Sequence, residues 1–304
     1  MMKRRGEAWT TKGTSQILKN SFQSRFLGEK RNIRICLPAS YRIQFHRHYP
    51  VLYLHDGQNM FCSNEKDVAF GWGSWELDSI VSALCKERKM QEIIMVAVDY
   101  TTVRIEEYAG RRRLDGSSTV KTAFEKYEEF LTNELKPWMD RDYRTLPDAQ
   151  HTAVMGSSLG GLCSLVLAWS HPEVFGGAAS LSGAFPVSHP NFVDDVLKEY
   201  NGLPKPFRVY LDSGVVDLRG GDDGCSRTEQ VEAELRRIGW SFGNLQRYVD
   251  RKTLTRGELG KTGLPREKWA EARISQHNEL YWRRRAWRAL TFLFPLSSPG
   301  TGLA

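Results

Sequence analysis

Gly156-Ser157-Ser158-Leu159-Gly160 places a serine in the spacing Gly-x-Ser-x-Gly, which marks Ser158 as a nucleophile. The apolar run Thr152–Gly156 comes before it, and Leu159–Trp169, small and apolar, reads as a helix after it. Such a serine sits in a strained strand-to-helix turn. The flanking glycines let the two backbones approach, and the free N–H groups of the helix start favour developing negative charge. Ser157 is then an ordinary packed neighbour.

A serine nucleophile needs a base to take its proton and an acid to orient that base. On a sheet carrying this turn, the acid and then the histidine follow the serine along the chain. Of seven histidines, His46, His48, His55, His151, His171 and His189 come too early, and only His277 is left as the base. The acid is expected in the loop beyond the strand Arg208–Asp212, because sites form at strand C-termini. Asp217 fits that place. Asp212 lies inside the strand and braces the loop, and Asp222 and Asp223 are the alternatives. An oxyanion hole would take one backbone N–H from Leu159 and one from Gln58, where Gly57 permits a tight turn.

These residues need a scaffold, and the chain supplies one. Short β-rich runs recur at Ile33–Leu37, Val51–His55, Ile93–Asp99, Thr152–Gly156, Ala178–Ser182, Arg208–Asp212 and Leu245–Val249. Helical spacing fills most of the gaps, at Trp75–Lys89, Val120–Met139, Leu159–Trp169, Arg227–Ile238 and Tyr281–Phe294. Near-continuous apolar strands alternating with helices predict an α/β fold with a mostly parallel central sheet, helices on both faces. An N-terminal antiparallel hairpin is expected from Ser21–Leu27 and Arg31–Pro38, joined at Gly28. Residues 1–20 read as an extension, 21–295 as one domain, 251–273 as a lid or insertion loop, and 296–304 as a flexible tail.

Composition is that of a globular chain, with 40% hydrophobic and 26% charged residues. The net charge of +7 is uneven: residues 1–50 carry +9, 51–250 carry −9 and 251–288 carry +7. No nucleic-acid-binding motif accompanies the basic ends, so no nucleic-acid partner is expected. The second basic block brackets His277 and, through Arg283 and Arg284, would form a wall favouring anionic substrates. Five cysteines lack metal spacing and read as reduced thiols, with a Cys62–Cys225 bridge as the minor alternative. No secretory signal or run of about 18 apolar residues occurs, which predicts a cytoplasmic protein without membrane contact.

Several segments taken together resemble the esterase branch of the α/β-hydrolases, which includes enterochelin, feruloyl and acetylxylan esterases and mycolyltransferases. They are Val51-Leu-Tyr-Leu-His-Asp-Gly-Gln-Asn-Met-Phe61, Arg104-Ile-Glu-Glu-Tyr108, Gly156–Gly161, Asp212-Ser-Gly-Val-Val-Asp217 and His277-Asn-Glu-Leu-Tyr-Trp282. The resemblance spans about 32–295 and implies an α/β-hydrolase fold with Ser158, Asp217 and His277 as the triad. By position, Asp56, Asn59, Phe61, Trp72, Trp75, Arg104 and Tyr108 are candidates for substrate binding, with core packing as the competing role. The function implied is a cofactor-independent serine esterase acting through an acyl-enzyme on a small-molecule ester. An acyltransferase using the same triad, or a non-catalytic binding protein of the same fold, are the other readings.

Overall fold

Apolar side chains alternate between two faces in the central strands, and each face is covered by helices. The computed structural model describes residues 8–12, 15–62, 71–110, 120–218 and 220–296. The strands are β1 (Ala8–Lys12), β2 (Ser15–Gln23), β3 (Lys30–Leu37), β4 (Val51–Leu54), β5 (Ile94–Val98), β6 (Thr152–Ser157), β7 (Gly177–Leu181), β8 (Arg208–Ser213) and β9 (Leu245–Val249). The helices are α1 (Leu77–Lys86), α2 (Arg104–Tyr108), α3 (Ala123–Glu129), α4 (Lys136–Asp142), α5 (Leu159–Ser170), α6 (Cys225–Ile238), α7 (Arg256–Leu259), α8 (Trp269–Ala272) and α9 (Glu279–Leu293).

Among the described residues the sheet has nine strands, ordered β1-β2-β3-β5-β4-β6-β7-β8-β9. The pairings β1–β2, β2–β3 and β3–β5 are antiparallel, and every pairing from β5 through β9 is parallel. Val51 and Tyr53 of β4, with Ile94, Val96 and Val98 of β5, pack on the face covered by α3 and α5. Leu52, Leu54, Met95 and Ala97 face the other way, against α1 and α9. This period of two is what a strand buried on both faces requires.

Two sequence expectations are corrected. The sheet reaches back into residues expected to be an extension, because β1 pairs with β2, the first strand of the hairpin. The hairpin turn starts at Ser24 rather than Gly28. The Ser24 hydroxyl donates to Glu134 Oε2 at 2.6 Å and accepts from the Leu27 N–H at 3.0 Å, which pulls the chain out of the strand. The stretch 251–273 is folded and holds α7 and α8. Leu254, Leu259, Leu264 and Ala272 are buried against Trp72 and Tyr281. Its apolar residues are too sparse to show a helical period. Residues 1–7, 13–14 and most of the expected tail, 297–304, lie outside the described residues.

The expected helix over 120–139 is interrupted. α3 widens into a π-turn at Phe130–Leu135 before α4 begins. Pro137 has no N–H to give a regular helix at that point, which fits a local widening. None of the helices among the described residues is long and apolar enough to cross a membrane.

β4 lies between β5 and β6, so the chain steps from β4 one way to β5 and later returns to β4's other side. Loops diverge at the C-terminal ends of strands at such a reversal and leave a crevice there. The loop after β4 and the turn after β6 meet in that crevice.

Candidate active site

The turn after β6 is built by backbone contacts. Ser158 has φ 53° and ψ −121°, a strained conformation for a residue with a side chain. Its N–H donates to the Leu181 carbonyl at 2.9 Å, and its carbonyl accepts from the Ala184 N–H at 3.0 Å, so the end of β7 holds it in place. At Gly156 a Cβ would lie 2.6 Å from the Gly160 carbonyl carbon, closer than real contacts allow. Only glycine lets the strand and the following helix approach so tightly. Leu159 opens α5, and its N–H is one of the donors that a helix start leaves unpaired.

The Ser158 hydroxyl lies 2.9 Å from His277 Nε2, and His277 Nδ1 lies 2.7 Å from Asp223 Oδ1. The acid beside His277 is therefore Asp223, and the expectation of Asp217 is corrected. Asp217 folds back on its own turn, accepting from the Leu218 N–H at 2.8 Å and from the Ser275 hydroxyl at 3.1 Å. Ser275 in turn accepts the His277 N–H at 3.3 Å, so Asp217 supports the histidine's loop without reaching its ring. Asp222 caps the start of α6, accepting from the Ser226 N–H at 2.9 Å. The chain thus leaves the sheet after β8, swings outward through Asp217 and returns at Asp223, which is 2% exposed.

Asp223 is gripped from three sides. Its Oδ2 accepts from the Gly214 N–H at 2.5 Å and the Ser182 hydroxyl at 2.7 Å, with Arg285 Nη2 3.7 Å away. Arg285 is fully buried and also lies 3.1 Å from Asp212 Oδ1. Burial pushes the Asp212 carboxyl up to about 6, with Arg285 pulling the other way. Ser182 is further tied to the Trp282 indole N–H at 3.0 Å. Trp282 packs edge-on against His277, with ring centroids 5.1 Å apart. Gln276 anchors the histidine loop, accepting from the Val215 N–H at 2.7 Å and donating to the Asp250 carbonyl at 2.9 Å.

The loop after β4 forms the opposite wall. Asp56 adopts a left-handed conformation with φ 57°, and Gly57 packs directly on β5, where a Cβ would lie 2.7 Å from the Val98 carbonyl carbon. The Gln58 side chain pairs with the Tyr100 backbone, accepting its N–H at 2.9 Å and donating to its carbonyl at 3.2 Å. Asp56 and Arg104 form a two-pronged ion pair, with contacts of 2.5 and 2.8 Å. The buried pair Arg31–Glu107, at 2.7 and 2.9 Å, fixes the short α2 that carries Arg104.

Between these walls lies a cavity of about 250 Å³ opening on Ser158 and His277. Trp72, Trp75, Met60 and Trp282 supply its apolar sides, and Asp56, Asn59, Arg104 and Glu279 its polar end. Asp56, Asn59, Trp75 and Arg104 were all expected near the substrate, and all four line this space. Phe61 is instead part of the core beneath it. Tyr108 lies below Arg104 and accepts the Asp56 N–H at 3.3 Å.

A model of the family described as "Putative esterase" matches residues 24–242. The chain belongs to this family. It has the α/β-hydrolase fold. Among curated proteins it is 27% identical over 160 residues to the uncharacterized protein YjcH of Bacillus subtilis, covering 53% of this chain and 58% of that protein. Among solved structures it is similar to a ferulic acid esterase, with TM-score 0.65, 20% identity and coverage of 93% and 99% of the two chains. It is also similar to the enterobactin esterase FES of Shigella flexneri, with TM-score 0.63, 18% identity and coverage of 93% and 60%. The aligned region thus spans little more than half of YjcH and of FES.

The sequence pattern puts Asp217 ahead of Asp223 and does not single out Ser182, Arg285 or Glu279 as site residues. One available signal was Gly220-Gly221-Asp222-Asp223-Gly224, where glycines free the backbone for a sharp return; Asp223 itself has φ 53°. The expected basic wall is also corrected. Arg283 is taken by Glu76 at 2.6 Å, Arg284 is exposed, and neither lines the cavity. All five cysteines are free thiols, so Cys62 and Cys225 do not pair.

Proposed function

We propose that this esterase cleaves its substrate through a covalent acyl-enzyme on Ser158. The reading rests on one observation, the contact chain from Ser158 Oγ to His277 Nε2 and from His277 Nδ1 to Asp223, at 2.9 and 2.7 Å. With Asp223 accepting the Nδ1 proton, the Nε2 lone pair faces the serine hydroxyl. His277 takes that proton as Oγ attacks the ester carbonyl carbon. The tetrahedral oxyanion receives the N–H groups of Leu159 and Gln58, and Asp223 stabilises the imidazolium. Collapse breaks the ester C–O bond, and His277 returns the proton to the departing alcohol. Water then enters, gives its proton to His277 and attacks the acyl carbon, releasing the acid and restoring Ser158.

The three tryptophans around the cavity suit a compact apolar or aromatic portion of the ester. The similarity to a ferulic acid esterase and an enterobactin esterase supports a small-molecule substrate of that shape. The test is labelling with a fluorophosphonate, together with hydrolysis of p-nitrophenyl acetate. One label per chain, lost in Ser158→Ala along with hydrolysis, is expected. Folded protein that takes no label and turns over no ester would overturn the reading.

A further inference from the structure

Glu279 opens α9, two residues after His277, and is 5% exposed. It lines the same cavity as Ser158. No cation pairs with it among the described residues. Its side-chain partner there is Asn59, whose Nδ2 lies 3.5 Å from Oε1. Arg104, facing it from α2, is occupied by both oxygens of Asp56. Lys268, just before α8, stands over the Trp72 ring at 4.4 Å. Tyr100, from the loop after β5, is a further titratable neighbour among the described residues, beside Asp56 and His277.

A carboxyl removed from water without a cation is held in its neutral form. Burial pushes Glu279 up to about 8, with its own backbone N–H, Arg104 and Lys268 pulling the other way and Asp56 adding to the rise. A neutral carboxyl keeps an acceptor oxygen, which Asn59 faces, and gains an O–H that must find an acceptor.

We infer that Glu279 is a specificity-determining residue, donating a hydrogen bond to an uncharged ether, hydroxyl or carbonyl oxygen carried by the ester seated at Ser158. This rests on the acyl-enzyme reading above and adds a substrate class to it, esters with a neutral oxygen acceptor away from the scissile bond. A site built to donate a hydrogen bond discriminates against the analogue that lacks the acceptor, because that analogue leaves the donor unpaired. The donor is present below about pH 8 and is lost above it, as the carboxyl ionises.

The test compares p-nitrophenyl alkanoates with the isosteric methoxyalkanoates, over a series of chain lengths, at pH 6.5 and 9.5. At one length the ether should be favoured about tenfold in kcat/KM at pH 6.5, chiefly through KM, and the preference should vanish at pH 9.5. Glu279→Gln, whose amide donates at both pH values, should retain the preference throughout. Glu279→Leu should bring the ratio to about one at both. Labelling by the fluorophosphonate and an unchanged melting transition establish that each variant is folded. An active enzyme that ignores the ether oxygen at every length, or a Leu variant that keeps the preference, would overturn the role of Glu279 alone. A wild-type protein inactive on all esters would overturn the acyl-enzyme reading and this inference together.

Discussion

Around Ser158 the fixed parts are backbone: a strand end, a helix start, and two glycines whose missing side chains let them touch. Around Asp223 the fixed parts are mostly side chains: Ser182, Arg285 and Trp282, with one N–H from Gly214. The first region is one local turn of the chain. The second gathers residues from the loop after β7, the two ends of the loop between β8 and α6, and α9, which are far apart in sequence. A serine held by backbone keeps its geometry under most side-chain changes, whereas an aspartate held by side chains depends on each of them.

The sharpest way to break the comparison is to exchange the two loop aspartates. Asp223→Asn should lower kcat by about 10³–10⁴-fold, because the histidine loses the partner that sets its tautomer and stabilises its cation. Asp217→Asn should change kcat by less than about threefold, since among the described residues the Asp217 carboxylate reaches Ser275 and its own turn. Steady-state kinetics on one p-nitrophenyl ester decide it, and equal losses in the two variants would contradict the geometry.

The same contrast explains what could be read in advance. The nucleophile turn, the parallel strands and the last helix are local patterns, visible as glycine spacing and as apolar periods. His277 was legible because chain order left no other histidine. The choice between Asp217 and Asp223 was not local. It depends on how far the loop after β8 swings before it returns, and that is set by Gln276, Ser275 and Gly214 packing across about sixty residues of sequence. Asp56, Asn59, Trp75 and Arg104 were legible as neighbours of the oxyanion loop, but the Asp56–Arg104 pairing was not. Glu279 was passed over because an acid beside a histidine reads as a helix-start residue until its burial is known.

Two stability predictions follow the same division. Gly156→Ala places a methyl against the Gly160 backbone at 2.6 Å and should cost at least about 3 kcal/mol, or leave the protein insoluble. Gly221→Ala, whose Cβ would meet nothing closer than 3.8 Å, should be nearly neutral. On the acid side, Arg285→Met removes the cation between Asp212 and Asp223 and should cost about 3–5 kcal/mol. Adding Asp212→Asn removes one stranded carboxylate and should restore part of that loss. Urea unfolding midpoints measure both, and a double variant no more stable than Arg285→Met would show that the two acids are not sharing one counter-ion.

The smallest effect belongs to the wall formed after β4 and appears with pH. His55 precedes Asp56, is fully buried between Tyr108 and Tyr127, and lies 2.9 Å from the Tyr127 hydroxyl through Nδ1. Burial, with Arg104 adding to it, lowers its pKa to about 3. The unfolded chain, with His55 near 6.5, therefore binds the proton more readily than the folded one. Stability is whole above about pH 6.5 and falls as pH drops through the window down to about 3. Between pH 7 and pH 5 this one residue should cost about 2 kcal/mol. His55→Gln should flatten that part of the pH dependence while leaving the rest, and an unchanged slope would mean that the ring takes up a proton without leaving its site.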